Sequence, residues 1–455
     1  MSSSSRSARA PSPPATPILG HARAFRQDPS QFLLDVARTH GPVVRLRVGT
    51  QSYHLISDPA LVAEVLLERA SNYVRDTRSS RGIRLVTGES LLTAEGDTWR
   101  RHRRLAQPIF HQQRLKQMAE VMAEAAATTL ARWEQAADAG TLLDLGSEMS
   151  RLTFTAVGRC LFGVDLGDRA HEVEAAFPVL LEELFHRAQH PATFPIWLPF
   201  PRHQRFKAAL AKIDRIVAAI IAARRRQDEP GTDLLGLLLS ARDETGAGLT
   251  DLELRNQVVT FLLAGHETTA STVTWALALL ATHPDQQRAV AEEVDRCANT
   301  STGVADQAMR LTRVRAVLQE TMRLYPAIWV AERRVVTDDT LGGFSIPANS
   351  SVIVSPFVNH RLESYWPEPE NFDPERFLRG EAPSLARDGY FPFGAGPHAC
   401  IGQHFAMLEA TVILATLCRR FHVHLDERPM PLPNGGITLR PNATIQVRIE
   451  RRRSA

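Results

Sequence analysis

The sequence predicts one large, mainly α-helical domain that carries a few small β-sheets. Helical periodicity dominates residues 98–226 and returns in one long stretch over residues 250–282. Strand-like segments are short and lie near residues 43–56, 333–356 and 435–448, the last of them as a small hairpin. The chain has 455 residues, 44% of them hydrophobic, so it can bury a large core, and no Ser/Gly linker, charge block or internal repeat divides its middle.

The first 17 residues are rich in Ser, Arg, Ala and Pro, a composition typical of disorder, so the folded domain is expected to span residues 18–455. No apolar signal sequence and no run of about 20 apolar residues is present, which predicts a protein without a membrane anchor. The cysteines form neither a metal-binding spacing nor a disulfide framework, as is typical of a reducing cytoplasm. We therefore expect a cytoplasmic protein.

The overall charge of the chain argues against polyanionic partners. The 53 basic and 50 acidic residues leave a formal net charge of +3, so bulk charge predicts no nucleic acid or other polyanionic partner. Arginines nevertheless cluster in two segments, residues 100–104 and 419–420. Solvated helix faces and a docking face for an acidic protein explain these arginines equally well.

Near the N-terminus, residues 31–37 predict a short helix, residues 43–56 a hairpin, and residues 59–69 a helix that begins at proline. Residues 72–92 are polar and irregular and are expected to form a loop over a pocket. Residues 190–201 contain four prolines and three aromatic residues, which exclude a continuous helix. This break between two long helices is either a plain connection or a lid.

One cysteine, Cys400, ends a glycine-punctuated loop at residues 393–402, and an apolar, helix-forming run follows at once. A thiol at a helix N-terminus meets the positive end of the helix macrodipole and unpaired N–H groups, both of which favour the thiolate. The glycines let the backbone turn tightly and let a flat ligand come close. Such a sulfur suits axial ligation of haem iron, although a lone cysteine out of context is more often a small buried hydrophobic residue.

The long helical stretch begins at a capping box formed by Thr250 and Glu253, and about 32 residues of helix would span roughly 48 Å. Its centre, residues 264–269, reads Ala-Gly-His-Glu-Thr-Thr, an unfavourable sequence for the middle of a helix because glycine and threonine have low helix propensity. A glutamate between apolar flanks is costly unless it has a partner or a purpose. A kink with a paired glutamate and a proton-handling site are both compatible with this pattern.

Two further patterns pair charges or hydrogen-bond donors. Glu320 and Arg323 lie three residues apart on one predicted helix face, which by itself is an ordinary surface ion pair. Trp99 and Arg103 combine an indole N–H with a guanidinium, and such donors suit a carboxylate.

Together these patterns resemble the motifs of the cytochrome P-450 (cytochrome P450) family. They are W-x-x-x-R at residues 99–103, A-G-x-[DE]-T-T at 264–269, E-x-x-R at 320–323 and F-x-x-G-x-x-x-C-x-G at 393–402. They occur in the family's order and cover nearly the whole chain. The resemblance implies the cytochrome P450 fold, mainly α with small β-sheets and a long central helix over the haem, in a soluble, bacterial-type haem-thiolate monooxygenase.

By this resemblance the cofactor is heme b (iron protoporphyrin IX), and Cys400 is the metal ligand. The other residues expected to bind the cofactor are Trp99, Arg103, Arg334, Phe393, Gly396, His398 and Gly402. Arg333 competes with Arg334 for contact with a haem propionate.

The catalytic residues that the resemblance implies are Glu267 and Thr268. Thr268 would hydrogen-bond the bound dioxygen, and Glu267 would help to deliver protons. His266 lies outside the family's fixed pattern and is expected at the pocket or on the helix surface. The E-x-x-R motif is completed in the family by an arginine of a P-E-R-F segment, so a buried structural network is expected from Glu320, Arg323 and Arg376.

The positions that line the substrate pocket in relatives correspond here to Ala264, Ala327, Ile328, Trp329, Val330, Ile437 and Thr438. This apolar and bulky set predicts a hydrophobic small-molecule substrate, and a terpenoid, a fatty acid, a steroid and a polyketide all fit. The arginines at positions 75, 78, 81 and 84 would either meet a carboxylate of the substrate or face water.

The implied reaction transfers one atom of the co-substrate O2 to the substrate, by hydroxylation or epoxidation, in secondary metabolism. Electrons would come ultimately from NAD(P)H through a ferredoxin or flavodoxin-type donor and its reductase, because no flavin or iron–sulfur domain follows the cysteine loop. The arginine clusters would dock that donor, and the chain is expected to be a monomer. The alternatives are a peroxide-driven peroxygenase, a haem isomerase and a non-catalytic haem- or ligand-binding protein. The intact Glu267–Thr268 pair argues against them.

Overall fold

The computed structural model describes residues 8–452 except 166, 191–192, 228–230, 232, 299–302, 381, 383–387 and 427–428. The α-helices are α1 (Ala22–Gln27), α2 (Pro29–His40), α3 (Pro59–Ala63), α4 (Arg78–Thr87), α5 (Gly96–Ala106), α6 (Gln112–Ala139), α7 (Leu145–Phe162), α8 (Gly167–Gln189), α9 (Pro201–Arg225), α10 (Leu234–Ser240), α11 (Asp251–Thr282), α12 (Pro284–Ala298), α13 (Val304–Arg310), α14 (Thr312–Leu324), α15 (Pro356–Asn359), α16 (Glu375–Leu378) and α17 (Gln403–Arg420). The strands are β1 (Val43–Val48), β2 (Gln51–Ile56), β3 (Tyr73–Val74), β4 (Leu143–Asp144), β5 (Ala331–Val335), β6 (Asp339–Leu341), β7 (Phe344–Ile346), β8 (Ser351–Val354), β9 (Phe421–Leu425), β10 (Pro433–Gly435), β11 (Leu439–Pro441) and β12 (Gln446–Arg451). The fold is therefore mainly α-helical with small sheets, as the sequence predicted.

The strands form a five-stranded sheet in the order β1-β2-β8-β5-β3, a three-stranded sheet β4-β12-β9, and the pairs β6-β7 and β10-β11. The predicted hairpin β1–β2 forms in antiparallel register. The hairpin predicted at the C-terminus is wrong: β11 turns back onto β10, whereas β12 pairs with β9 and β4. Short strands of similar composition do not specify their partners, which are chosen by the surrounding packing.

The helix α11 is the longest described helix and lies almost wholly buried, against α7, α14 and α17. Its capping box forms as predicted: the Glu253 N–H donates to Thr250 Oγ1 at 3.2 Å, and the Thr250 N–H donates to the Glu253 carboxylate at 2.8 Å. The helix is continuous through residues 264–269. A Cβ on Gly265 would lie 3.2 Å from Val157 Cγ2, so the missing side chain lets α7 pack closely against this turn.

Two segments expected to lack regular structure are ordered. Residues 8–17, expected to be disordered, lie against the sheets: Ala8 forms a parallel bridge with Phe344, and Ala10 is buried among strand residues. Residues 1–7 lie outside the described residues. Within the expected loop at 72–92, residues 78–87 form α4, whose N-terminus is capped by the Thr77 side chain. The amino-acid composition of a segment is an average over many residues, so it does not predict individual contacts such as these.

The proline-rich break lies where the sequence predicted it. The helix α8 ends at Gln189 and α9 begins at Pro201, and residues 191–192 between them lie outside the described residues. Phe194 and Trp197 are exposed on this connection. Among the described helices, none has both the length and the apolar composition needed to cross a membrane.

Candidate active site

A cavity of about 600 Å³ lies between the centre of α11 and the loop that carries Cys400. It is lined by every residue that the sequence predicted for a substrate pocket, from Ala264 on α11 to Ile437 and Thr438 in the β10–β11 turn. Tyr53 on β2 and Glu332 on β5 are among the polar lining residues that the sequence analysis did not identify. Each lies on a short strand, where the alternation of faces alone does not tell which face meets a cavity.

The Cys400 loop is held in a tight conformation. The Cys400 N–H donates to the Phe393 carbonyl at 2.9 Å, which closes the loop. Gly396 has φ +71°, and a Cβ there would lie 1.9 Å from the Leu66 carbonyl oxygen, so the close packing against residues 64–68 requires glycine. Gly402 directly precedes α17, which places the Cys400 sulfur near the N-terminus of that helix and at the wall of the cavity.

The electrostatics of Cys400 differ from the expectation. Burial raises the pKa of its thiol, and this effect outweighs the backbone N–H of Gly402 and the Arg103 guanidinium, which both lower the pKa. The helix N-terminus thus favours the thiolate, as expected, but burial opposes it. A metal ion bound to the sulfur would supply the missing stabilisation, because a coordinating thiol is deprotonated.

Cationic side chains gather on one wall of the cavity. Arg75, Arg103, Arg333 and His398 all line it, with Trp99 between them: the Trp99 and His398 rings lie 4.2 Å apart, and the Arg75 guanidinium lies 5.8 Å from the Trp99 ring. Burial and then the repulsion of these arginines lower the pKa of His398 to about 3. The His398 Nδ1 atom is buried and has no hydrogen-bond partner in the part of the chain that the structure describes.

Acidic groups compensate part of the charge of this wall. Glu95 accepts from Arg75 Nε at 3.0 Å, and the charges of Glu95 and Glu332 act on Arg333. Arg103 donates to the Ala399 carbonyl at 2.9 Å and has no acidic partner among the described residues. Burial lowers the pKa of Arg333 to about 10, with a further lowering from Arg75. A buried excess of donors and positive charge fits a ligand that carries carboxylates. The residues present therefore fit the propionates of a haem whose iron is bound by Cys400.

Arg334, which was expected to contact the haem, does not line the cavity. Its Nε donates to the Asp76 carbonyl at 3.2 Å, and its guanidinium lies 3.7 Å from the Asp76 carboxylate. Arg333, the residue before it on β5, does line the cavity, as does Glu332. The assignment to Arg334 is therefore wrong.

Glu267 and Thr268 lie side by side on α11 at the cavity. Thr268 Oγ1 donates to the Ala264 carbonyl at 2.8 Å. The Glu267 carboxylate is buried and accepts from Thr438 Oγ1 at 2.8 Å and from the Arg440 guanidinium, with which it forms an ion pair. The Arg440 side chain is 40% exposed, so this pair connects the cavity wall with the protein surface. Sequence reasoning missed Arg440, although it lies only two residues after Thr438.

His266 is neither at the cavity nor on an exposed helix surface. It is buried between α7 and α8, where its Nε2 bonds with Ser150 Oγ at 2.8 Å and its ring stacks on Phe177 with centroids 5.7 Å apart. Burial lowers its pKa. His266 is therefore a packing residue of the helix interface.

The structure brings together the three residues of the expected buried network. Arg323 donates to both carboxylate oxygens of Glu320, at 2.7 and 2.8 Å, and Arg376 Nε donates to Glu320 at 3.2 Å. Arg323 also donates to the His360 carbonyl at 2.9 Å, and the His360 ring accepts from the Phe391 N–H at 3.0 Å. The network thus reaches within two residues of the Cys400 loop.

The arginines between residues 75 and 84 mostly bond to the protein. Arg78 donates to the Arg187 carbonyl at 3.3 Å and Arg84 to the Thr93 carbonyl at 2.8 Å, whereas the Arg81 side chain is 64% exposed. The cluster at residues 100–104 is largely neutralised: Arg101 bonds to the carboxylates of Asp243 and Glu253, each at 2.7 Å. Arg100 and Arg104 also pair with acids. This segment therefore does not form a row of unpaired cations for an acidic donor.

A second buried carboxyl lies beside the site. Glu409 on α17 is fully buried, and neither of its oxygens has a hydrogen-bond partner among the described residues. Burial raises its pKa from 4.5 to about 8, and the neighbouring Thr269 hydroxyl opposes this shift. Glu409 is therefore protonated in the native protein at neutral pH.

This burial makes stability depend on pH. The native state holds the Glu409 proton up to about pH 8, whereas the unfolded chain loses it near pH 4.5. The contribution of this proton to the stability of the native state is therefore complete below pH 4.5 and is lost as the pH rises to about 8. We expect Glu409→Gln to remove this loss, which is on the order of several kcal/mol. Thermal melts from pH 5 to 9 should show the variant's advantage in Tm growing with pH; an advantage that does not change with pH would contradict the assignment.

Comparison with known proteins agrees with this geometry. The model of one family, described as Cytochrome P450, matches residues 10–448. Cyclooctatin synthase of Streptomyces melanosporofaciens is 34% identical over 436 residues, which are 95% of this chain and 92% of that protein. Cyclooctat-9-en-7-ol 5-monooxygenase of the same organism is 34% identical over 92% of this chain and 89% of its own length. Pentalenene oxygenase of Streptomyces avermitilis is 31% identical over 92% of this chain and 93% of its own length.

Proposed function

We propose a function from the premise that this chain belongs to the cytochrome P450 family, to which the match over residues 10–448 assigns it. It is an enzyme of the P450 monooxygenase type. We propose that it transfers one oxygen atom of O2 to a hydrophobic small molecule, with electrons from separate redox proteins. One observation carries this proposal: Cys400 lies across an apolar cavity from the Glu267–Thr268 pair, beside a wall with excess positive charge.

In this proposal, Cys400 is the iron ligand of heme b, and the donors toward its propionates are Trp99, Arg103, Arg333 and His398. When bound, the haem supplies the iron that binds and activates O2. Arg103 and Arg333 would supply charge-assisted hydrogen bonds, and His398 would donate a ring N–H.

Glu267 and Thr268 are proposed to handle protons in the cavity. The Glu267 carboxylate is held by Thr438 and Arg440 between the cavity and the surface, which supports a role in taking protons from solvent. The Thr268 hydroxyl is positioned by the Ala264 carbonyl at the cavity wall, where it would hold a proton for transfer into the cavity.

The bacterial relatives are named cyclooctatin synthase, cyclooctat-9-en-7-ol 5-monooxygenase and pentalenene oxygenase, names that refer to cyclic hydrocarbon skeletons, and the lining of this cavity is mostly apolar. We therefore propose a cyclic terpenoid substrate. The apolar faces of Phe261, Ile328 and Trp329 would bind its hydrocarbon skeleton.

The test is spectroscopy followed by turnover. Purified protein, reduced and exposed to carbon monoxide, should show the strongly red-shifted Soret band of a thiolate-ligated haem. Cyclic terpenes should then be oxygenated with NAD(P)H, a ferredoxin and its reductase. A histidine-type band, or no haem band, would overturn the proposal; product with peroxide alone would establish the peroxygenase.

A prediction for Thr268 separates its chemical role from its structural role. We expect Thr268→Ala to keep substrate-induced spectral changes but to lower the product formed per NAD(P)H by at least about tenfold, with hydrogen peroxide released instead. Thr282→Ala is the matched control, because Thr282 makes the same kind of bond, to the Leu279 carbonyl at 2.9 Å, outside the cavity lining. Unchanged coupling in Thr268→Ala would remove the proton-handling role.

A further inference from the structure

The cavity has one polar corner that the proposed reaction does not use. It is formed by Glu332 on β5, Ser79 on α4 and Tyr53 on β2, all of which line the cavity. The Glu332 carboxylate accepts from Ser79 Oγ and from Ser351 Oγ, each at 2.8 Å. One hydroxyl thus fixes each carboxylate oxygen in place.

This corner retains hydrogen-bonding capacity toward the cavity. A carboxylate offers about four acceptor sites, of which the two serines occupy two. The Tyr53 hydroxyl forms no hydrogen bond with the described residues. Tyr53 lies opposite Ser351 in the pairing of β2 with β8, and Ser351 is a hydrogen-bond partner of Glu332, so the two side chains are neighbours. Burial and the charge of Glu332 raise the pKa of Tyr53, so its hydroxyl stays protonated. A carboxylate and a free hydroxyl at the wall of an apolar cavity are costly without a polar ligand.

The charged groups around Glu332 and Tyr53 favour a ligand without a net charge. The field of Arg78 also acts on Tyr53, and Arg333 follows Glu332 in the chain, so a cation meets repulsion. An anionic ligand meets the charge of Glu332 itself. A neutral group that both donates and accepts a hydrogen bond satisfies Glu332 and Tyr53 together.

We propose that Glu332 and Tyr53 bind a hydroxyl group of the substrate, so that the natural substrate is a terpene alcohol rather than a hydrocarbon or an acid. This inference rests on the proposed monooxygenase function and deepens its substrate class. It also implies that this reaction follows another one in a reaction sequence. That earlier step, either a hydroxylation or a cyclisation terminated by water, must supply the alcohol.

The test uses ligands that share one skeleton. Cedrol, cedryl methyl ether and α-cedrene are titrated into the haem-loaded enzyme, and the Kd of each is read from the spin-state change. We expect cedrol to bind about tenfold more tightly than the ether, because the ether cannot donate to the carboxylate. Menthol, menthyl methyl ether and p-menthane repeat the comparison on a smaller skeleton.

Two variants locate the preference. Glu332→Gln keeps the shape and the partners of the side chain, and Tyr53→Phe removes only the free hydroxyl; each is expected to reduce the alcohol-to-ether ratio to about one- to twofold. Glu363→Gln, at an exposed site outside the cavity, is the matched control and should leave the ratio unchanged. A purely structural role of Glu332 would weaken all three cedrane ligands equally.

The result that overturns this inference is distinct from failure of the proposed function. Equal affinities for alcohol and ether in both series, no binding by any ligand, or a preference that survives Glu332→Gln would overturn the hydroxyl site. If the thiolate-type band and turnover were still present, the monooxygenase function would remain. Loss of that band in the unmodified enzyme would instead refute the function itself.

Discussion

Cys400→Ala is expected to abolish the red-shifted Soret band of the reduced, carbon monoxide-treated protein and to reduce turnover to the level of a protein-free control. In the proposed function the Cys400 sulfur at the cavity wall binds the haem iron, and an alanine side chain has no atom that can replace it as a ligand. The loop itself should persist, because its closing hydrogen bond uses the backbone of residue 400 and not the side chain.

The control for this substitution is Cys418→Ala. Cys418 is a buried thiol on α17, the helix that follows the Cys400 loop, and it lies outside the cavity lining. Its substitution tests the cost of removing a buried sulfur and should leave the spectrum intact. A Cys400→Ala protein with an unaltered haem spectrum would show that the ligand has been assigned wrongly.

Glu320→Gln is expected to lower the free energy of unfolding by about 3–5 kcal/mol. Glu320 is fully buried and is the shared acceptor of Arg323 and Arg376, so the neutral amide would leave two buried guanidinium groups without their counter-charge. Because the His360 ring continues this network to the Cys400 loop, haem retention should fall as well. Urea unfolding and the haem content of the purified variant measure the two effects.

The chain contains a matched control for this prediction. Glu409 is equally buried but has no hydrogen-bond partner among the described residues, and Glu409→Gln is expected to be neutral or stabilising. The same substitution at the two sites therefore separates loss of a buried ion pair from loss of a buried carboxyl. Equal stability of Glu320→Gln and the unmodified enzyme would mean that the network contributes nothing measurable.

Short sequence patterns predicted several features of the fold. The capping box at Thr250 and Glu253 specified the start of α11, since its two reciprocal bonds involve residues only three apart. The prolines of residues 190–201 specified the break between α8 and α9 by removing backbone donors. Short motifs likewise led to the family and to residues on several sides of the cavity, because a ligand constrains residue type at fixed spacing.

Other features depended on partners far away in the chain. The orientation of β5 within its sheet decided that Arg333, and not Arg334, lines the cavity. The sequence alone could not distinguish the two residues, because both are arginines. The order of residues 8–17 depends partly on the strand at Phe344, which pairs with Ala8 and lies more than 300 residues away. No local pattern contains such information.

By itself, the sequence determined that this protein is a mainly helical member of a haem-thiolate family, with Cys400, Glu267 and Thr268 in its central motifs. Only the tertiary structure decided which polar groups meet: Arg440 with Glu267 in an ion pair, and Ser79 and Ser351 with Glu332 in hydrogen bonds. The physical reason is that helix caps, turns and ligand motifs are stabilised by near neighbours in the chain. Burial and ion pairing instead depend on the packing of distant segments, which sets both the pKa of a side chain and the ligand that it can bind.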